Sequence, residues 1–177
     1  MQTMQPIQLE DATGLTRQLL DDVRDDRGDI PNMIKTMAQS PLTLAGYLQF
    51  IRALNGSNVG PKIRELIALT VAQANLSEYS LAQHALLALE LGLTKNEILE
   101  GRQARAADAK TDTALKFARS LLTRGVDWST DDLRDVGFND AEIVEIIAQV
   151  ALSSFENYFN LAVKTTLDFP KVGLKAA

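Results

Sequence analysis

A chain of 177 residues, 46 % of them hydrophobic, fits one domain of ordinary size that can bury a core without a disulfide or metal staple. It has no cysteine and a single histidine, His84, which excludes a disulfide framework, Cys-ligated zinc or iron–sulfur, thiol chemistry by this sequence alone and a His-rich metal site. With 18 basic against 23 acidic residues, a net charge of −5 and no basic run, nucleic acid is an unsuitable partner; no stretch reaches the roughly 20 apolar residues of a membrane span, and the N-terminus lacks a leader pattern, so a soluble cytoplasmic protein is expected.

Period-2 alternation is rare, aromatics are 6 %, and Ala, Leu, Gln, Glu and Arg fill the long segments, which predicts an all-α bundle. Across Gly14 to Asp26, Leu15, Leu19, Leu20 and Val23 share one face, while Asp21, Asp22, Asp25 and Asp26 read as a solvated one. Arg27-Gly28-Asp29 ends that helix. Two further helices are expected, Pro31 to Ala38 and Pro41 to Leu54, the second carrying Leu44, Tyr47, Leu48 and Ile51. After a turn at Asn55 to Gly60, Pro61 suits a first helical position because it has no N–H to leave unsatisfied. From there Ile63, Leu66, Ile67, Leu69, Thr70, Val71 and Ala74 cover most of the circumference, so this helix belongs at the centre of the bundle.

Asn75-Leu76 interrupts it, and Ser77 fits the N-cap of a helix from Glu78 to Leu91, with Gly92 as a left-handed terminator. Thr94 and Glu97 form a capping box ahead of a helix expected over Ile98 to Ala107. Thr111 to Arg124 is amphipathic through Leu115, Ala118, Leu121 and Leu122 and is stopped by Gly125; Ser129 opens a short helix to Val136, and Asn139 the last long one, to Thr165. The expected organisation is one domain, with a core over about 40–165, N-terminal helices over 14–38 and an extended tail over 166–177. Trp128, Phe138, Phe155, Tyr158 and Phe159 read as core or subunit interface.

The densest group of reactive side chains lies between Glu65 and His84. Ser80 and His84, four apart, project from one face of one helix. Glu65 lies on the preceding apolar helix, where a carboxylate needs a partner. If the two helices pack antiparallel, it reaches the imidazole, orients its tautomer and stabilises the imidazolium, which is half of a proton relay. Tyr79 and Glu78 stand beside this group as lining residues.

The run from Arg64-Glu65-Leu66-Ile67 through Ser77-Glu78-Tyr79-Ser80 to His84 and Gly92-Leu93-Thr94 resembles the core of AhpD-like alkylhydroperoxidases in the carboxymuconolactone decarboxylase superfamily. Gly137 to Glu145 and Asn157-Tyr158-Phe159-Asn160, running to Pro170, resemble the closing helix and tail of that group. The resemblance implies an all-α fold, assembly into trimers or hexamers, a role in antioxidant defence, a small-molecule ligand and no cofactor or metal. It also implies a core of Glu, eleven residues, Cys-x-x-Cys, three residues, His, in which the thiols reduce a hydroperoxide while Glu and His move the proton. Glu65 and His84 fall on the Glu and His positions; Ser77 and Ser80 fall on the two cysteines.

That departure governs the chemistry, because an alkanol has neither the acidity of a thiol nor a disulfide couple. Ser77 reads as an N-cap. Ser80 reads either as a first-turn hydroxyl or as a nucleophile served by His84 and Glu65. His84 is either a core imidazole satisfied by Glu65 or a proton-transfer group; Glu65 could equally pair with Lys62, Arg64 or another subunit. Three functions follow: acid–base work by Glu65 and His84 on a small organic acid or lactone, a non-catalytic binding or assembly module, and a peroxidase whose cysteines have been replaced by serine.

Overall fold

The computed structural model describes residues 1–123 and 129–174. Gly125 and Trp128 lie outside them. After a 3-10 turn at Leu9–Asp11 the described residues form nine helices and no strand: α1 (Gly14–Arg27), α2 (Asn32–Met37), α3 (Pro41–Asn55), α4 (Pro61–Ala74), α5 (Glu78–Glu90), α6 (Lys95–Arg102), α7 (Ala109–Thr123), α8 (Thr130–Asp135) and α9 (Asp140–Val163). None is long and apolar enough to cross a membrane.

Apolar residues all round α4 make it the hub, as expected. Every residue from Leu66 to Ala72 is buried, and α5, α6, α7 and α9 all pack on this helix. One core cluster surrounds it through Ile67, Leu69, Leu81, Leu115 and Ile146. A second, of Leu20, Met33, Met37, Leu44, Tyr47, Tyr79 and Leu152, joins the N-terminal helices to α5 and α9. Each such aliphatic side chain contributes about 1.5–3 kcal/mol by leaving water. Leu15 and Leu121, expected on buried faces, are each 44 % exposed.

Turns fix how the helices follow one another. Behind α4, the Ser77 N–H donates to the Ala72 carbonyl and the Leu76 N–H to Gln73, which is the paired closure of a Schellman motif. The residue forced into the left-handed region is Leu76, at φ 55°. Ser77 then caps α5, its hydroxyl accepting from the Ser80 N–H. One residue therefore closes α4 and opens α5, and the two helices fold back as a hairpin. The same closure ends α5 at Gly92 and α8 at Gly137.

It also ends α6 at Ala104, φ 56°, while α9 ends at a left-handed Lys164, φ 53°, where the Lys164 and Thr165 N–H groups both donate to the Asn160 carbonyl. Hence α6 stops at Arg102 rather than at Ala107, and α9 stops at Val163. The described tail beyond, to residue 174, has no helix and is held down: Asp168 accepts from the Asn32 N–H, and Arg102 donates to the Gly173 carbonyl at 2.6 Å. Along the outer face of α9, Val144, Ile147, Ala151, Phe155, Tyr158 and Leu161 are all exposed.

A leucine in the left-handed region costs about 1–2 kcal/mol, and Leu76 is 58 % exposed, so little burial offsets it. Replacing it with glycine raises unfolded-chain entropy, which takes back part of the gain. Leu76→Gly is expected to be more stable than the parent by about 0.5–1 kcal/mol, read from the urea midpoint at constant slope.

Candidate active site

Where the two core clusters meet, four helices place titratable side chains around one imidazole. His84 on α5 is 5 % exposed. Its Nδ1 lies 2.7 Å from Glu65 Oε2 on α4, and its Nε2 lies 3.2 Å from Glu156 Oε2 on α9. The Tyr47 hydroxyl of α3 donates to the other oxygen of Glu156 at 2.6 Å. The hairpin of α4 and α5 therefore brings Glu65 to the imidazole, as antiparallel packing of the two helices predicts, and a second carboxylate closes the opposite edge of the ring.

These groups line a cleft of about 90 Å³ together with Arg64, Asn55, Gln83, Gln149 and the apolar Ile51, Leu54, Leu87 and Leu152. Burial opposes a charged imidazole, but the carboxylates of Glu65 and Glu156 outweigh it, raising the His84 pKa from 6.5 to about 10. At neutral pH the ring is an imidazolium donating from both nitrogens, which leaves no lone pair free for a metal.

Ser80 stands one turn away and Ser77 about two, both 1 % exposed. The Ser77 hydroxyl donates to Ser80 Oγ at 3.0 Å, and the Asn160 amide of α9 donates to the same oxygen at 3.3 Å. The hydrogen-bond partners of Ser80 are thus Ser77 and Asn160, while both nitrogens of His84 face carboxylates. A nucleophile served by His84 is not the arrangement formed here. Ser77 takes the capping role expected of it.

Tyr79 points away from the imidazole. Its buried oxygen accepts the Met33 N–H at 3.2 Å, and its ring stands edge-on to Phe169. Ser77, Glu78 and Tyr79 instead line a separate cavity of about 280 Å³ with Asn160, Lys164 and Thr165. Glu78 pairs with Lys171 in the tail at 3.1 Å.

Glu156, Tyr47 and Asn160 are site residues that the motif reading does not reach. A signal was available: Gln149, Ser153, Glu156 and Asn160 recur at helical spacing through an otherwise apolar helix, and all four are buried. Polar groups on a buried face need partners. That requirement marks the stripe as structured chemistry rather than solvated surface.

Residues 41–124 match the carboxymuconolactone decarboxylase family. The AhpD core of a peroxidase-related protein from Ralstonia eutropha superposes with a TM-score of 0.84 over 94 % of this chain and 92 % of its own, at 19 % identity. The chain carries that family's match over just under half of its length and has an AhpD-like fold. A peroxidase-related protein from Silicibacter sp. superposes at 0.78 with 22 % identity, covering 93 % of this chain and 91 % of its own. The debrominase Bmp8, in complex with 2,3,4-tribromopyrrole, does so at 0.78 with 19 % identity over 92 % and 90 %. No curated protein matches in sequence.

The raised His84 pKa stabilises the fold fully below pH 6.5, and that contribution is lost as pH rises through about 10. Urea midpoints are expected to fall across this window. Because the chain has one histidine, its imidazole signal in NMR is unambiguous. It should stay protonated at pH 8 and titrate at lower pH in Glu156→Gln, where one of the two carboxylates is gone.

Proposed function

We propose that the chain is a thiol-independent acid–base enzyme acting on a small organic molecule, with Glu65, His84 and Glu156 as the proton-transfer group. The observation that supports this most is the imidazole held at both nitrogens by carboxylates within a cleft. Glu65, with its side chain 21 % exposed, is the most accessible of the three, against 7 % for His84 and 5 % for Glu156. It is the member that meets a substrate. A proton taken from carbon beside a carbonyl leaves its electron pair as an enolate, and the carboxylate gains the proton. In the decarboxylation of a 3-oxo acid the C–C bond breaks, carbon dioxide leaves, the electron pair passes into the neighbouring carbonyl as an enolate, and the enolate takes a proton from the cluster at carbon. His84, bonded to both carboxylates, balances the charge in either direction.

The family supports a small organic acid or lactone by analogy, and the tribromopyrrole complex supports a small-molecule ligand in this fold. A redox reading has one observation in its favour: Ser77 and Ser80 oxygens lie 3.0 Å apart at a helix start, where paired thiols would sit. Oxygen at both positions carries no disulfide couple. Reductant-dependent hydroperoxide consumption by a double Ser77→Cys, Ser80→Cys variant would establish that reading.

The acid–base reading is tested by NMR in heavy water, following hydrogen–deuterium exchange across a panel of 2-oxo acids and lactones and decarboxylation across a panel of 3-oxo acids. His84→Asn is expected to lose about a hundredfold to ten-thousandfold of the rate. Ser80→Ala, which removes no member of the relay, is expected to stay within about threefold. Equal rates for His84→Asn and the parent would overturn the assignment.

Assembly belongs to the same proposal. The apolar outer face of α9 suits packing against a second copy, since contiguous exposed apolar surface of this kind is rare on monomers. Val144, at 64 % exposure, and Tyr158, at 62 %, are its most exposed large side chains and stand towards its two ends. Sedimentation of the parent is expected to show an oligomer, and Val144→Glu with Tyr158→Glu to shift it towards monomer.

A further inference from the structure

The cleft beside His84 contains two hydrogen-bonding groups that the relay does not use. Arg64 lies next to Glu65 on α4 and lines the cleft, yet it forms no ion pair among the described residues. Its Nη1 donates to Asn55 Oδ1 at 3.2 Å. Its Nε is buried and has no partner, and no bond forms at Nη2. Anchoring Nη1 fixes the guanidinium plane and leaves free the Nε–Nη2 edge, one of the two edges that fit both oxygens of a carboxylate at once. The second group is Gln83 on α5. It is 6 % exposed, lines the same cleft, and its amide has no hydrogen-bond partner among the described residues. Its amide atoms stay open to the cleft, where a ligand oxygen can take the place of water.

Charge narrows the ligand further. The Glu65 and Glu156 carboxylates with an imidazolium between them leave one net negative charge, which would repel an anion; the Arg64 guanidinium neutralises it. A single negative charge enters such a site without net repulsion, whereas a second would be uncompensated in a partly buried cleft. The cleft, at about 90 Å³, also favours something small.

We propose that Arg64 and Gln83 form the carboxylate-binding subsite of the His84 cleft, and that its ligand is a small monocarboxylate held at the Nε–Nη2 edge of Arg64. This deepens the acid–base reading and rests on it for the identity of the reacting group: the anchor sets the ligand's carboxylate on one side and its neighbouring carbon towards Glu65. Gln83 supplies an amide N–H to the carboxylate or to an adjacent oxo group.

The test uses the full chain, isothermal titration calorimetry at low salt, and four probes: acetate, pyruvate, the neutral amide of pyruvate, and the dicarboxylate malonate. Pyruvate or acetate is expected to bind with a Kd of about 10 mM or tighter, and the amide and malonate at least about tenfold more weakly. Arg64→Gln should weaken binding of the monocarboxylate about tenfold or more. Arg64→Lys, which keeps the charge but loses the fork, should fall between. Gln83→Leu should weaken it severalfold. Arg64 is partly exposed, so its variants are expected to fold, and matching circular dichroism and urea midpoints confirm it. No binding of either monocarboxylate to the parent, or unchanged affinity in Arg64→Gln, overturns the subsite. Exchange of the pyruvate methyl protons with solvent, compared between the parent and His84→Asn, reports separately on the relay. Binding that depends on Arg64 without exchange would uphold the anchor and count against the acid–base reading.

Discussion

A buried imidazolium between two carboxylates is the constraint on which the rest of the structure turns. Any one of the three groups, left alone at this depth, would carry an uncompensated charge, so the helices that deliver them have to arrive together. Glu65 comes from α4, His84 from α5 and Glu156 from α9, with Tyr47 of α3 bonded to the last. Four helices are thereby tied at one point along the seam between the two core clusters. The hydrophobic contacts make the bundle stable, and the ionic cluster fixes how its members are rotated about their own axes.

The pair of serines shows how a motif can persist in geometry while its chemistry changes. Ser77 and Ser80 occupy the start of α5 with their oxygens in contact, but they are sealed from solvent and bonded to each other and to Asn160. Ser77 also terminates one helix and caps the next. A hydroxyl is a far better N-cap acceptor than a thiol, so the oxygen favours the structural task at this position just as it removes the redox one.

Most of the fold was legible because its signals are local. Periodicity gave the helices, Pro61 and the capping boxes at Thr94 and Asn139 gave their starts, and Gly92 gave an end. The ends of α6 and α9 differ from expectation because Ala104 and Lys164 take the left-handed position, where nothing in the residue type announces the turn. Glu65 and His84 were legible through their spacing on consecutive helices. Glu156 was not, because its partner is 72 residues away and only the packing of α9 against α5 brings them together. The Ser80 hydroxyl was open to the opposite error. Helical spacing puts it on the same face as His84, but long-range partners claim both side chains first.

The two stripes of α9 set a strict limit on how this helix can change in length. Its inward stripe carries Gln149, Ser153, Glu156 and Asn160, and its outward one Val144, Ile147, Phe155 and Tyr158. Inserting or deleting one residue upstream of Glu156 would turn everything beyond it by about 100°. That rotation would carry a carboxylate off the imidazole and bring Phe155, for an insertion, or Asn157, for a deletion, into its place. Substitution can therefore tune α9 residue by residue, whereas a change of register would dismantle the relay and the outer face in a single step.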